Sequence, residues 1–369
     1  MRITILQGAF LPVPPLRGGA IEKAWQALGE AFVRAGHQVT HISRRCDGLP
    51  KEEKINGVHH LRIKGGDACS NPLLLKSREI FYVWQARKIL PPADILVTHA
   101  FWAPILFPQE KFGKIYVHVG RYPKGQMGLY KKATRLQVPS RAVEKAVSKE
   151  LSVQDDRVLT IPYPLPFADK DIIAVGDRPK CVLYTGRIHP EKGVLELVRA
   201  WLRLPEAMQK EWNLRLVGPW RAEQGGGGKD FLRKVLAEGN ESVEIIDPIF
   251  EEKELIAEYK KARVFVYPSK AWAGETFGLA VLEAMSCGCV PIVSSLECFA
   301  DFMNSGINGI RVKGEPGHLE DSLLNELQNL LNNPNLEPFS KQAILTAQEY
   351  EVDRVAAQFL ADFNKLMAK

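Results

Sequence analysis

Short runs of aliphatic and β-branched residues alternate along the chain with longer stretches whose apolar positions recur every three or four residues. Ile3–Leu6, Gln38–Ser43, His59–Ile63, Ile95–His99, Lys114–His118 and Leu136–Pro139 read as strands. Between the first two, Ile21–Ala35 has helical spacing and stops at Gly36. This is the rhythm of a parallel sheet covered by helices.

The rhythm breaks at Ile161-Pro162-Tyr163-Pro164-Leu165-Pro166, where alternate prolines favour extended backbone and resist both helix and central strand. This segment and the polar stretch to Lys180 are expected to link two domains. A second series follows, with strands at Cys181–Thr185, Leu214–Val217, Val243–Ile246, Val264–Tyr267 and Val290–Val293, and an edge strand at Ile310–Val312. Helices are expected at Val194–Leu202, Asp230–Leu236, Glu252–Lys261, Phe277–Ser286 and Leu319–Leu331, with a flexible tip at Gly225–Gly228. One long helix, Ser340–Lys369, is expected to leave its own domain. The predicted fold class is α/β, with two Rossmann-like domains at 1–165 and 166–348 and a returning helix at 349–369. Ligands of open α/β sheets bind outside the carboxyl ends of the strands, so a cleft between two such edges is the default site.

A chain of 369 residues is long enough for two domains that each bury an ordinary core. With 46% hydrophobic and 25% charged residues, it is neither fibrous nor disordered in composition. Charge changes the picture more. The net +6 divides into +12 over residues 1–160 and −6 over 161–369, so the first half is expected to meet something anionic. The opening MRITILQGAF reads as a strand and not as a basic leader, and no apolar run reaches the roughly 18 residues of a spanning helix. Cys287 and Cys289 flank Gly288 without a second pair to complete a zinc site. All six cysteines are expected to be reduced, buried thiols of a cytoplasmic protein.

Several chemistries are missing. Gln7-Gly8-Ala9 after the first strand is not a GxGxxG turn, and there is no GxxxxGK[ST] loop, HExxH or GxSxG. Nicotinamide dehydrogenases, P-loop ATPases and the common hydrolases are disfavoured, and neither a metal site nor a cofactor is expected.

The most informative segment is Gly274-Glu275-Thr276-Phe277-Gly278-Leu279-Ala280-Val281-Leu282-Glu283-Ala284-Met285. Glu275 falls in a loop and Glu283 on the helix after it, where apolar neighbours nearly surround it; a buried carboxylate needs partners. Eight helical steps would separate the acids by roughly 12 Å. Paired glycosidase carboxyls stand only about 5–9.5 Å apart, so these acids suit the two ends of an extended ligand. A nucleotide sugar has that form, and Gly278 with the first helical amides would face its diphosphate. Arg187 and Lys192, in Gly186-Arg187-Ile188-His189-Pro190-Glu191-Lys192-Gly193, leave one strand end together as a donor fork and a point charge.

Together these segments resemble the retaining GT-B glycosyltransferases of family 4, whose signature is E-x7-E preceded by G-R-x-x-x-x-K-G. The resemblance implies a GT-B fold with a C-terminal helix crossing back to the first domain. It also implies hexosyl transfer from a nucleotide sugar, UDP-glucose or a similar UDP-sugar, to a glycan or lipid-linked saccharide, with retention and without metal. Glu275 would bind donor sugar hydroxyls, Glu283 the ribose, Arg187 and Lys192 the diphosphate, and Pro248, Ile249 and Phe250 the base, with Phe277 and Leu279 flanking Gly278. In the first domain, Gly18 and Gly19 match a phosphate-facing loop, with Arg17 a candidate cation, and His118 matches a histidine near the reacting sugar. His99, at a similar strand end, is a lesser candidate for catalytic contact, and Trp102 is either a residue of the acceptor side or an ordinary core or surface tryptophan.

Arg121, Lys124, Lys131, Lys132, Arg135, Arg141, Lys145 and Lys149 lie within one stretch whose only acid is Glu144. Such a patch suits an anionic membrane surface, an acidic acceptor or a merely solvated face; without a reader module, nucleic acid is disfavoured. Other functions open to such a fold are nucleotide-sugar epimerisation, phosphorolysis and non-catalytic nucleotide-sugar binding.

Overall fold

The computed structural model describes residues 1–67, 71–152, 155–167, 171–312 and 317–368. The backbone forms two units, Met1–Pro166 with Tyr350–Lys369, and Phe167–Glu349.

The first unit is built on β1 (Arg2–Leu6), β2 (Gln38–Arg44), β3 (Glu52–Ile55), β4 (Val58–Ile63), β5 (Ile95–Thr98), β6 (Lys114–His118), β7 (Arg135–Val138) and β8 (Val158–Thr160), in the order β3-β4-β2-β1-β5-β6-β7-β8. All neighbours are parallel except β3, which joins β4 through the two-residue turn Asn56-Gly57. Among the described residues before the linker, the α-helices in chain order are α1 (Ala20–Arg34), α2 (Pro72–Ile89), α3 (Ala103–Leu106), α4 (Gln109–Phe112) and α5 (Arg141–Leu151). Tyr82, Val83 and Ala86 of α2 and Val143 and Val147 of α5 share a core with Leu6, Ile42, Leu96, Ile115 and Leu136 of the sheet. Strand order reverses between β1 and β5, which sets a switch point there.

Among its described residues the second unit has six parallel strands, β9 (Cys181–Thr185), β10 (Asn213–Val217), β11 (Val243–Ile246), β12 (Val264–Tyr267), β13 (Val290–Ser294) and β14 (Ile310–Val312), in the order β11-β10-β9-β12-β13-β14. Every residue of β9, β12 and β13 is buried, as expected for central parallel strands covered on both faces. The helices are α6 (Val194–Leu202), α7 (Glu206–Glu211), α8 (Gly228–Glu238), α9 (Glu252–Lys261), α10 (Leu279–Ser286), α11 (Leu319–Leu331) and α12 (Glu337–Gln348). Here the switch point falls between β9 and β12.

Three expectations, none of them about the linker, are corrected. Along the linker itself, Tyr163 and Leu165 are buried in the first unit, and Val175 and Arg178 in the second. Arg178, 2% exposed, donates to the carbonyls of Ile173, Ala262 and Cys287. Residues 168–170, within the same stretch, lie outside the described residues. Gly225–Gly228 is an ordered loop, because the amides of Gly225, Gly226, Gly227 and Gly228 donate to the carbonyls of Ala222, Arg221, Ile188 and Trp220. The helix expected from Phe277 begins at Leu279. Finally, the long C-terminal helix is two, α12 and α13 (Val352–Met367). Between them Leu165 donates to the Tyr350 carbonyl at 2.7 Å and bridges Glu351, which holds the backbone extended.

α13 completes the first unit. Phe359 meets Trp25 edge to face at 5.1 Å, and Phe363 meets Phe32 at 5.7 Å and Tyr116 at 4.9 Å. Asp362 takes a two-point contact from Arg135, at 2.9 Å from Nε and 2.6 Å from Nη2. Arg135 therefore pairs internally and is not a free member of the basic patch. Cys46 is a half-buried free thiol, and Cys181, Cys287, Cys289 and Cys298 are buried free thiols; Cys69 lies outside the described residues.

The Arg135–Asp362 side chains are only 13% and 6% exposed. Removing one partner strands the other charge in a poorly solvated place, which costs about 3–5 kcal/mol. Asp362→Ala is expected to lower the unfolding free energy of the first unit by that amount, read by urea titration. An unfolding free energy within about 0.5 kcal/mol of the parent would show that the pair does not hold the helix.

Candidate functional site

In the second unit, two loops leave adjacent strands at the switch point. β9 runs into Gly186–Gly193, and β12 runs into Pro268–Gly278. The amide of Lys270 donates to the Glu191 carbonyl at 2.7 Å and ties the loops together. Lys192, on a short 3-10 turn closed by Gly193, places its ammonium 2.6 Å from Glu275 Oε2. Tyr267, the last residue of β12, donates its hydroxyl to the same oxygen at 3.2 Å. The side chains of Lys192 and Glu275 are 8% and 11% exposed. A cation and an acid from separate loops are thus brought together almost out of water.

Glu283 has its own support. Tyr259 of α9 donates to Glu283 Oε2 at 2.9 Å and lies 2.8 Å from the Thr185 hydroxyl at the end of β9. Because Tyr259 gives its proton to the carboxylate, Thr185 donates to Tyr259. Burial, reinforced by the neighbouring acids, raises both the Tyr259 and Tyr267 hydroxyls well above their usual value, so they stay donors at neutral pH. Only the steps from Leu279 to Glu283 are helical, so the eight-step rise used to separate the two acids does not apply. Gly278 has φ 93°, and a Cβ there would stand 2.3 Å from the Phe299 ring. Glycine is required at this helix entrance by its own backbone and by Phe299.

Arg187 is held differently from Lys192. It donates to the Gly225 carbonyl at 2.8 Å and to Glu191 at 2.5 Å, and its side chain remains 41% exposed. Tyr184 fixes its backbone by donating to the Arg187 carbonyl at 2.8 Å. Pro248, Ile249 and Phe250 follow β11 at the same sheet edge and are half-buried. Sequence reasoning missed Tyr184, Thr185, Tyr259 and Tyr267. The available signal was a hydroxyl-bearing residue at the last position of two predicted strands.

In the first unit, Gly18 and Gly19 adopt φ 73° and 110°, and a Cβ on Gly19 would lie 2.2 Å from Glu22 Oε2. The bare backbone therefore makes room for a carboxyl that burial pushes up to about 7. Arg17 pairs with Asp67 at 2.8 Å. His118, 5% exposed, ends β6. Gln137 donates its amide to the carbonyls of Val138 and Ile161, which turns Oε1 toward His118 Nδ1 at 2.5 Å. Nδ1 therefore carries the proton, and Nε2 accepts from Tyr163 at 2.9 Å. His99 lies with its ring tilted 56° to that of His118 at 4.9 Å, with no hydrogen-bond partner on either ring nitrogen. Trp102 donates to the carbonyl of Lys76, on α2, at 3.2 Å. Among the described residues, no three His, Cys, Asp or Glu side chains gather as a metal site.

Residues 167–348, nearly the extent of the second unit, match the family described as Glycosyl transferases group 1. An uncharacterized glycosyltransferase of Methanocaldococcus jannaschii is 24% identical over 342 residues, covering 81% of this chain and 82% of the relative. Among solved structures, a sucrose-phosphate synthase from Thermosynechococcus elongatus superposes with TM-score 0.82 at 21% identity, covering 100% of this chain and 99% of that one. A UDP-forming α,α-trehalose-phosphate synthase from Burkholderia xenovorans, in complex with glucose-6-phosphate, superposes with TM-score 0.77 at 15% identity, covering 99% and 100%. The fold is GT-B, with two parallel-sheet α/β units.

Two measurements test this geometry. Glu275→Gln or Lys192→Met alone is expected to cost about 3–5 kcal/mol of stability, whereas the double variant recovers most of it because no buried charge is left unpaired; additive losses in urea titrations would contradict the pairing. Burial lowers the His118 pKa from 6.5 to about 4. The unfolded chain therefore takes up the proton first, and stability held above pH 6.5 declines as pH falls toward about 4. Nitrogen-15 spectra should show a neutral, Nδ1-protonated ring from pH 8 to 5, and a midpoint near 6.5 would overturn the assignment.

Proposed function

We propose that this chain is a retaining, metal-independent glycosyltransferase of family 4. In this reading it moves a hexosyl group from a nucleotide sugar, UDP-glucose or a similar UDP-sugar, to a saccharide or lipid-linked saccharide. The observation that carries the reading is the Lys192–Glu275 pair at the switch point of a group 1 domain, with Glu283 held nearby on α10. A UDP donor is supported by the UDP-forming synthase of the same fold.

Glu275 accepts from donor sugar hydroxyls while Lys192 holds it in place, and Glu283, steadied by Tyr259, accepts from the ribose. Arg187, oriented by Glu191 and Gly225, contacts the diphosphate together with Lys192, and Pro248–Phe250 flank the base. In the first unit, Gly18 and Gly19 offer bare backbone to phosphate oxygens, and His118 offers a neutral acceptor nitrogen to a hydroxyl once Tyr163 yields it. The bond between the anomeric carbon and the phosphate oxygen breaks as the acceptor oxygen attacks from the same face. The acceptor proton passes to the departing phosphate, so the products are the glycoside and the nucleoside diphosphate. Cations fixed before the reaction stabilise the charge growing on that phosphate without reorganising.

A panel of UDP-, GDP- and ADP-sugars, read by thermal stabilisation and then by nucleotide release with saccharide acceptors, tests the proposal. The best donor is expected to be UDP-linked. Arg187→Ala with Lys192→Ala is expected to lower kcat about 10²–10³-fold, and Glu283→Gln to weaken donor binding about tenfold. Stabilisation by no nucleotide sugar, or full turnover after both cations are removed, would refute it.

A further inference from the structure

The outward face of α2 is unusual for a surface helix. Leu73, Phe81 and Trp84 are 80%, 52% and 52% exposed, joined by Leu74, Ile80 and Ile89, while Tyr82, Val83 and Ala86 anchor the opposite face in the core. The exposed apolar side chains recur at helical spacing, where polar residues normally face water. Cations share the face: Lys76, Arg78, Arg87 and Lys88 are all exposed. Lys88 Nζ sits 3.4 Å from the Trp84 ring centroid, so charge and aromatic surface are presented together. Glu79, the only acid of α2, turns inward and accepts from the Phe101 amide at 2.9 Å.

The face continues beyond the helix. Lys76 lies 5.3 Å from the Phe101 ring, and Phe101 meets Tyr130 at 6.0 Å. Next to Tyr130 are Leu129, 55% exposed, and the exposed Lys131 and Lys132. Two members of the basic segment, Lys131 and Lys132, are thus connected to α2 through the Phe101–Tyr130 ring contact, which charge counting did not reveal.

We propose that α2 is an interfacial anchor that lays its Leu73–Trp84 face into an anionic lipid bilayer. Apolar side chains enter the boundary between headgroups and acyl chains, and the flanking cations meet anionic headgroups, worth about 1 kcal/mol each near the surface. Among the described residues no helix is long and apolar enough to cross a membrane, so α2 lies in the interface plane. A second copy of the chain suits the face less well, since a two-fold contact through α2 sets its cations against their own kind. This inference does not depend on the transferase reading, because lipid binding is measured without donor or acceptor.

The test is flotation of the full chain with vesicles of phosphatidylcholine alone and of phosphatidylcholine with phosphatidylglycerol. The parent is expected to float with the anionic vesicles, at least tenfold more than with the neutral ones, and to be released by high salt. Phe81→Ser with Trp84→Ser should lose flotation tenfold or more, while Lys76→Gln with Lys88→Gln should lose it partially. Unchanged circular dichroism and melting would show that these exposed substitutions leave the fold intact. The proposal is overturned if the parent fails to float at low salt, if neutral vesicles bind as well, or if the Phe81/Trp84 variant floats like the parent. It is also overturned if sedimentation shows self-association that the Phe81/Trp84 variant abolishes.

Discussion

An ammonium and a carboxylate brought together away from water determine how the rest of the second unit is arranged. Lys192 and Glu275 come from loops after β9 and β12, and each would be costly to bury alone. Holding them 2.6 Å apart requires both strands to end at the same level, the Lys270–Glu191 link to hold the loops, and Tyr267 to occupy the adjacent space. The parallel register of β9 and β12 supplies the first of these requirements. Net stabilisation from such a pair is small, so its value lies in position: it orients an acid and a cation at the one edge where a parallel sheet leaves room for a ligand.

The same logic of support recurs around the other polar groups. Tyr259 steadies Glu283 and is itself steadied by Thr185, and Gln137 sets the tautomer of His118 by committing its amide to two carbonyls. Burial keeps the tyrosines protonated and the histidine neutral. Hydrogen-bonding roles at neutral pH are therefore fixed by where these groups sit.

The central strands of both sheets were legible because they are largely apolar runs, whereas the edge strands β3 and β8, short and only partly buried, were not; Glu275, Glu283, Arg187 and Lys192 stood out as candidates through their spacing. What spacing could not convey was pairing. Nothing in Gly186–Gly193 shows that Lys192 turns to Glu275 while Arg187 turns to Glu191 and Gly225. The glycine run at Gly225–Gly228 reads as flexible by composition, yet its amides all find carbonyls across the loop. α2 was missed because its apolar residues lie on both faces, which erases the periodicity of an ordinary surface helix. The break between α12 and α13 was hidden because its cause, Leu165, lies far away in sequence.

That long-range closure bears on how the chain is made. The face of α1 bearing Trp25 and Phe32 is covered by Phe359 and Phe363, which leave the ribosome after the whole of the second unit. The contiguous second unit can finish folding while the first still has an open seam. During translation the aromatic row on α1 is therefore a transiently unprotected surface, shielded only when α13 emerges.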